Sequence, residues 1–243
     1  MSNRSEIGHG QNVANFEDLI SRCIGYGSQY NPSLNSIKIT SLNTLRVAAL
    51  SILSTNVSAK TASINAINNK EIVFKPLKLM ATRIMNALKA SGAGDHTIKD
   101  ARSINYKIQG VRVKAIEINE NASDQTKHIS VSRQSVDSMI EHFEKLIDLL
   151  NSVPNYQPNE NELSITGLNA LLVTMKTVNT NVINTTTDLI NSIIARNELL
   201  YQKQTGLVFI ANEVKFYIKS VFGSKSSEYK EVSKIKFTLR KIN

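Results

Sequence analysis

The sequence contains one pattern twice, and this internal duplication constrains the fold more than any other feature. Seven residues recur with their spacing preserved. They are Tyr30, Pro32, Ile39, Thr40, Leu42, Asn43 and Leu45 in the first copy, and Tyr156, Pro158, Ile165, Thr166, Leu168, Asn169 and Leu171 in the second. Because chance does not preserve such spacing, we interpret the chain as a tandem duplication of one structural unit.

Each copy carries the pattern of a long helix, because apolar and small side chains recur at alternate steps of three and four. In the first copy this seam consists of Leu42, Leu45, Ala49, Ile52, Asn56, Ala59, Ser63 and Ala66, and in the second of Leu168, Leu171, Met175, Val178, Val182, Thr185, Leu189 and Ser192. The first long helix is predicted over about residues 39–74. Pro76 ends it in one copy, and Thr205-Gly206 ends its counterpart in the other.

Shorter helices are predicted before and after each long one. In the first copy they cover Asn15 to Ile24, the stretch that starts at Leu77, and about Thr97 to Ile108. The last counterpart in the second copy is predicted as a helix or as an extended segment, since residues 235–239 alternate apolar and polar. The predicted fold is therefore all-α: an elongated helical bundle built from two tandem homologous helical repeats with pseudo-twofold symmetry.

The predicted organisation has four parts. Residues 1–12 form a polar N-terminal tail, 13–110 the first helical repeat, 111–130 a polar, variable linker, and 131–243 the second helical repeat. The linker prediction depends on its richness in Glu, Asn, Ser and Asp and on its lack of periodic apolar residues.

Three segments carry a resemblance to known proteins. These segments, Lys70–Lys78, Ser103–Gly110 and Tyr229–Phe237, resemble a family of uncharacterised, internally duplicated helical proteins of Bacteroidota. The resemblance extends over nearly the whole chain outside the linker. It implies a duplicated architecture and a bacterial origin, and it implies no activity.

Charge provides one functional signal, since the chain has a formal net charge of +9 and a sequence pI near 9.6. The candidate electrostatic surface consists of Lys75, Lys78, Arg83, Lys89, Arg102, Lys107, Lys215, Lys219, Lys230, Lys234 and Lys236. Three interpretations stay open. These residues bind nucleic acid or another polyanion through phosphates, they dock on the acidic stretch between Glu117 and Glu162 of a neighbouring copy, or they are ordinary solvated helix faces.

No pattern in the sequence predicts catalysis, a metal or a cofactor. The lone Cys23 is predicted to be an inert buried thiol. His142 and Glu141 are adjacent rather than three or four residues apart, so His142 is expected on a solvated helix face. The glycine-rich stretch 91–95 lacks the Lys-Ser/Thr ending of a phosphate-binding loop and is predicted to be a helix end.

These observations favour a non-enzymatic structural or interaction protein that acts by self-association or by binding another protein. The alternative is a sequence-independent nucleic-acid-binding protein that uses lysine-rich helix faces; an enzyme without a recognisable motif is a third, weaker candidate. No window of about 18 uninterrupted apolar residues predicts a membrane span. Since residues 1–15 lack an apolar signal core, a cytoplasmic location is expected.

Overall fold

A computed structural model describes residues 4–111 and 135–239. Within these two ranges the chain is all-α, as predicted, with helices and short 3-10 turns and no strand. The helices are α1 (Arg4–Gly25), α2 (Ile39–Phe74), α3 (Leu77–Ala90), α4 (Asp95–Gln109), α5 (Val136–Asn151), α6 (Ile165–Tyr201), α7 (Leu207–Phe222) and α8 (Ser227–Lys234). None of the helices described is long and apolar enough to cross a membrane.

Helix ends agree closely with the sequence signals in several places. The predicted range of the first long helix coincides with α2, and Pro76 stands at the break before α3. The side chain of Ser135 caps α5 by accepting a hydrogen bond from the amide of Ser138. Helix α8 ends at Lys234, the backbone of Ile235 is extended, and residues 236–239 form neither helix nor strand.

The start of the first helix differs from the prediction. Residues 1–12 were expected to form a polar tail before a helix at Asn15, whereas α1 already begins at Arg4. The physical reason is that polar residues near the start of α1 are buried and form hydrogen bonds with a residue far along the chain. His9 and Asn12 are both almost fully buried, and both lie within hydrogen-bonding distance of the Tyr201 hydroxyl.

The chain divides into two compact units. Unit 1 comprises Met1–Ser63 with Thr185–Asn243. Its core combines α1 and the first part of α2 with α7, α8 and the end of α6. The most deeply buried side chains include Phe16, Leu19, Leu42, Leu207, Val214, Ile218 and Val232.

Unit 2 comprises Ile64–Asn184. Its core joins α3 and α4 to α5 and the first part of α6, and the end of α2 packs against this core. The most deeply buried side chains include Ile84, Leu88, Ile108, Phe143, Leu146, Leu150 and Leu168.

Neither unit coincides with one predicted repeat. Unit 1 takes α1 from the first repeat and α7 and α8 from the second, whereas unit 2 takes α3 and α4 from the first and α5 from the second. Each long helix contributes one part to each unit. The predicted linker, 111–130, lies outside the described residues except for its first residue.

The predicted seam of α2 lies on the buried side of the helix. Ala49, Asn56, Ser63 and Ala66 are buried. Asn56 donates a 2.9 Å hydrogen bond to the Ser192 hydroxyl and accepts one of 3.2 Å from the Arg196 guanidinium. Asn56 is thus a buried polar residue of this seam whose hydrogen-bond partners lie on α6.

Candidate binding site

A cleft in unit 2 lies between helix α3 and the loop that follows α5. It is open to solvent and has a volume of about 670 Å³, within the range of roughly 300–1,000 Å³ that is typical of ligand sites. One wall is the face of α3 that carries Arg83, Ala87 and Ser91, and the opposite wall is the loop 155–160. The loop passes into a 3-10 turn, Asn161–Leu163, which precedes α6.

Tyr156 is the buried aromatic residue of this cleft. Its hydroxyl donates a 2.9 Å hydrogen bond to the Leu163 carbonyl, and its backbone amide donates to the Val153 carbonyl at 3.0 Å. Burial raises the pKa of Tyr156 to about 12, and the nearby charge of Glu160 acts in the same direction. The phenol is therefore neutral at physiological pH and holds the loop closed on itself.

An ion pair stands at one edge of the cleft. Arg83 of α3 donates a 2.5 Å hydrogen bond to the Glu162 carboxylate. This hydrogen bond raises the pKa of Arg83 and lowers the pKa of Glu162. Both groups are solvent-exposed, so the pair positions the turn against α3 but contributes little net stability.

The remaining polar lining consists mainly of carboxamides: Asn86 from α3, and Asn155, Gln157 and Asn159 from the loop. Each carboxamide has two donors and a carbonyl acceptor, so the cleft can bond both the N–H and the C=O of a peptide. The Gln157 carboxamide already donates to the Pro154 carbonyl at 3.3 Å. This lining is suited to binding a neutral polar ligand.

The residues that were considered for chemistry do not form a reactive cluster. Cys23 is buried as predicted, and desolvation raises the pKa of its thiol to about 12. His142 is half-buried, rather than on the solvated face that was expected, because α5 is covered on both sides of its main apolar stripe. No group of three or more His, Cys, Asp or Glu in residues 4–111 and 135–239 is placed to hold a metal.

The candidate basic residues Lys75, Lys78, Arg83, Lys89, Arg102 and Lys107 belong to unit 2. The Lys78 ammonium donates to the Gln109 carbonyl at 3.1 Å, and Arg83 is bound to Glu162. The pKa of Glu141 is lowered mainly by Lys145, with His142 and Lys107 as weaker contributors, so Lys107 lies near Glu141. Lys75, Lys89 and Arg102 are exposed.

The other candidates, Lys215, Lys219, Lys230, Lys234 and Lys236, belong to unit 1. Lys215 donates to the Ile235 carbonyl and lies 5.1 Å from the centre of the Phe237 ring, and burial lowers its pKa. Lys219 lies 5.5 Å from the Tyr229 ring centre, and Lys234 pairs with Glu231 at 2.5 Å. Several lysines in this set thus serve internal contacts.

The cleft was not predicted from the sequence, although one signal pointed to it. The predicted duplication aligns Ile84 and Leu88 with Val214 and Ile218, and therefore Ala87 of α3 with Tyr217 of α7. Where one copy has a small residue and the other an aromatic one, the copy with the small residue has space at that position. In unit 2 that space is part of the cleft.

Comparisons with known proteins assign no identity to this chain. No protein-family model, curated protein or solved structure matches it.

Proposed function

We propose that this chain is a non-enzymatic interaction protein that acts by self-association, and that its two homologous repeats are related by pseudo-twofold symmetry. The supporting observation is a set of exposed apolar side chains at aligned positions of the two long helices. These aligned pairs are Val47 with Val173, Val57 with Ile183, and Ile64 with Ile190. Val57 and Ile183 have 62% and 58% of their surface exposed.

Helix α2 buries polar residues and exposes apolar ones, which is unusual for a helix that packs on one side only. In α2, Asn56 and Ser63 are buried while Val57 and Ile64, one residue further along, are exposed. A helix that packs on one side normally exposes polar residues on the other, so branched apolar residues outside favour a second packing partner. We infer that this partner is another copy of the same chain, because every copy presents the same exposed apolar residues, as a twofold interface requires.

Binding to a different protein is the other form of this proposal. Nucleic-acid binding is the alternative, and it has less support. Lys78, Arg83 and Lys234 already contact acceptors within the molecule, as described above, and would have to exchange those contacts for phosphates.

Sedimentation velocity over a wide concentration range tests self-association, because mass action makes an oligomer depend on protomer concentration. We expect an oligomer that Val57→Lys dissociates and that Ser58→Lys, a matched change at an exposed polar position of the same helix, leaves intact. A monomer at every concentration would reject self-association. A monomer whose mass increases only when duplex DNA is added at low salt would favour the nucleic-acid alternative.

A further inference from the structure

The two units contain the same tyrosine-anchored loop. In unit 1 the Tyr30 hydroxyl donates a 2.7 Å hydrogen bond to the Ile37 carbonyl, and in unit 2 the Tyr156 hydroxyl donates a 2.9 Å hydrogen bond to the Leu163 carbonyl. In each case the acceptor follows the tyrosine by seven residues and lies in a 3-10 turn. The space beside each tyrosine can therefore be compared directly.

In unit 1 a side chain of the protein itself occupies this space. The ring of Tyr217, on α7, packs edge-on against the ring of Tyr30, with centroids 5.2 Å apart and planes at 86°. Its hydroxyl accepts a 3.0 Å hydrogen bond from the backbone amide of Asn31. An aromatic ring in this place thus gains both an edge-to-face contact and a polar anchor.

In unit 2 the aligned residue of α3 is Ala87, which leaves the space open. Ala87, Tyr156 and Gln157 all line the cleft, and they correspond to Tyr217, Tyr30 and Asn31 of unit 1. One difference is that the Gln157 amide donates to the Asn155 carbonyl at 3.0 Å, whereas the Asn31 amide donates to a phenol. The cleft therefore has the aromatic floor of its counterpart but lacks the phenol ring that fills it. We propose that it binds the side chain of a tyrosine from a peptide segment of a partner protein.

The other groups of the cleft suit a neutral peptide. The carboxamides of Asn86, Asn155 and Asn159 offer donors and acceptors to a phenol hydroxyl and to peptide backbone. Unit 1 shows such pairing, because the Asn12 carboxamide both donates to the carbonyl and accepts from the amide of Thr238, each at 2.9 Å. Glu160 lines the cleft, and Arg83 at its edge is already paired with Glu162, so the net negative charge of these three groups disfavours a phosphorylated tyrosine.

This proposal is independent of the long-helix surface that supports self-association, and it has a direct test. The probe is the blocked peptide Ala-Ala-Tyr-Ala-Ala, titrated into the isotope-labelled full chain while backbone amide shifts are followed by nuclear magnetic resonance. We expect saturable shifts at Ala87, Ser91 and Gln157. The same peptide with phenylalanine should bind more weakly because it lacks the hydroxyl, and the phosphotyrosine peptide should bind weakest.

Substitutions that fill the cleft, or open its counterpart in unit 1, make the test specific. Ala87→Tyr fills the cleft as Tyr217 fills its counterpart and should reduce binding at least about tenfold. Ala170→Tyr places the same ring at an exposed position of α6 and should leave binding unchanged. Conversely, Tyr217→Ala should open a second site and produce new peptide-dependent shifts at the Asn31 amide. Circular dichroism checks that each variant is folded, and Ala87→Met, a smaller filling residue, replaces Ala87→Tyr if that variant unfolds.

The outcomes that overturn the proposal are distinct. Absence of saturable shifts in the cleft at millimolar tyrosine peptide would reject a peptide site there. Equal binding of the tyrosine and phenylalanine peptides would reject recognition of the phenol. Undiminished binding by a folded Ala87→Tyr variant would show that the ring does not enter beside Ala87.

Discussion

Tyr156 and Leu163 close the loop before the second long helix, since the phenol of Tyr156 donates a 2.9 Å hydrogen bond to the backbone carbonyl of Leu163. Both residues are buried, so neither group can exchange its partner for bulk water. The aligned pair Tyr30 and Ile37 makes the same bond at 2.7 Å. The loop thus depends on one buried hydroxyl in each unit.

Removing this hydroxyl should be costly. Tyr156→Phe keeps the ring but leaves the Leu163 carbonyl without its donor, and we expect a loss of about 1–3 kcal/mol in the free energy of unfolding. Tyr30→Phe should have a similar effect through Ile37. Urea denaturation provides the measurement, with Tyr106→Phe at an exposed position as the control. A change of less than about 0.5 kcal/mol, the usual size for surface substitutions, would show that water replaces the lost donor.

Cys23 should make stability depend on alkaline pH. Its thiol has an ordinary pKa of 9.0, and burial raises the folded-state value to about 12. The native state therefore holds the proton more tightly than the unfolded state, so the associated stability is complete below pH 9 and is lost as the pH rises towards 12. The slope contributed by this one group is at most about 1.4 kcal/mol per pH unit.

The comparison of wild type with Cys23→Ala measures this contribution together with the coupling of the thiol to Tyr26 and Tyr30. We expect the difference in unfolding free energy between the two proteins to be constant from pH 7 to 9 and to shrink between 9 and 12 in favour of the variant. A pH-independent difference would contradict the raised pKa. The same burial predicts that thiol reagents modify Cys23 at pH 8 only through unfolding or local opening.

The local features of the fold could be predicted because they depend on neighbouring residues. The extent of α2 and the break at Pro76 each follow from the chemistry of a few adjacent side chains. The buried seam of α2 follows from helical periodicity. These signals lie within one turn or one helix face, so a single sequence contains them in full.

The features that could not be predicted depend on contacts between distant residues. The helical start at Arg4 is supported by His9, whose ring nitrogen lies 2.6 Å from the Tyr201 hydroxyl, and the sequence of the first turn does not reveal that partner. Periodicity also does not say which helices of the two repeats share a core. The cleft arises from an absent side chain at Ala87, which is recognised only when the position of Tyr217 is known.

Asn12 should control the order of the extended segment after α8. Its carboxamide bonds both the amide and the carbonyl of Thr238, and Asn15 adds a 2.7 Å hydrogen bond to the Lys236 carbonyl. We expect Asn12→Ala to release this segment, because alanine can neither donate to the Thr238 carbonyl nor accept from the Thr238 amide.

Hydrogen exchange should detect the release as at least about tenfold faster exchange of the Thr238 amide, equivalent to about 1.4 kcal/mol of lost local protection. Ser21→Ala, at an exposed position of the same helix, serves as the control. Unchanged exchange at Thr238 in a folded Asn12→Ala variant would mean that the segment is held by the apolar side chains of Ile235 and Phe237 instead.

Asn56 should stabilise unit 1 although it is a polar residue in a buried seam. It is 2% exposed, it donates to Ser192, and its carbonyl accepts from the Arg196 guanidinium. Asn56→Leu has similar bulk but removes an acceptor from a buried cation, so we expect a loss of about 2–4 kcal/mol in the free energy of unfolding. Ser58→Ala on the exposed side of α2 should change it by less than about 0.5 kcal/mol.

Buried polar groups are sometimes replaced by apolar ones with a gain in stability, and an equal or higher urea midpoint for Asn56→Leu would place this cluster in that class. In that case the cluster would serve to fix the pairing of α2 with α6 rather than to stabilise it.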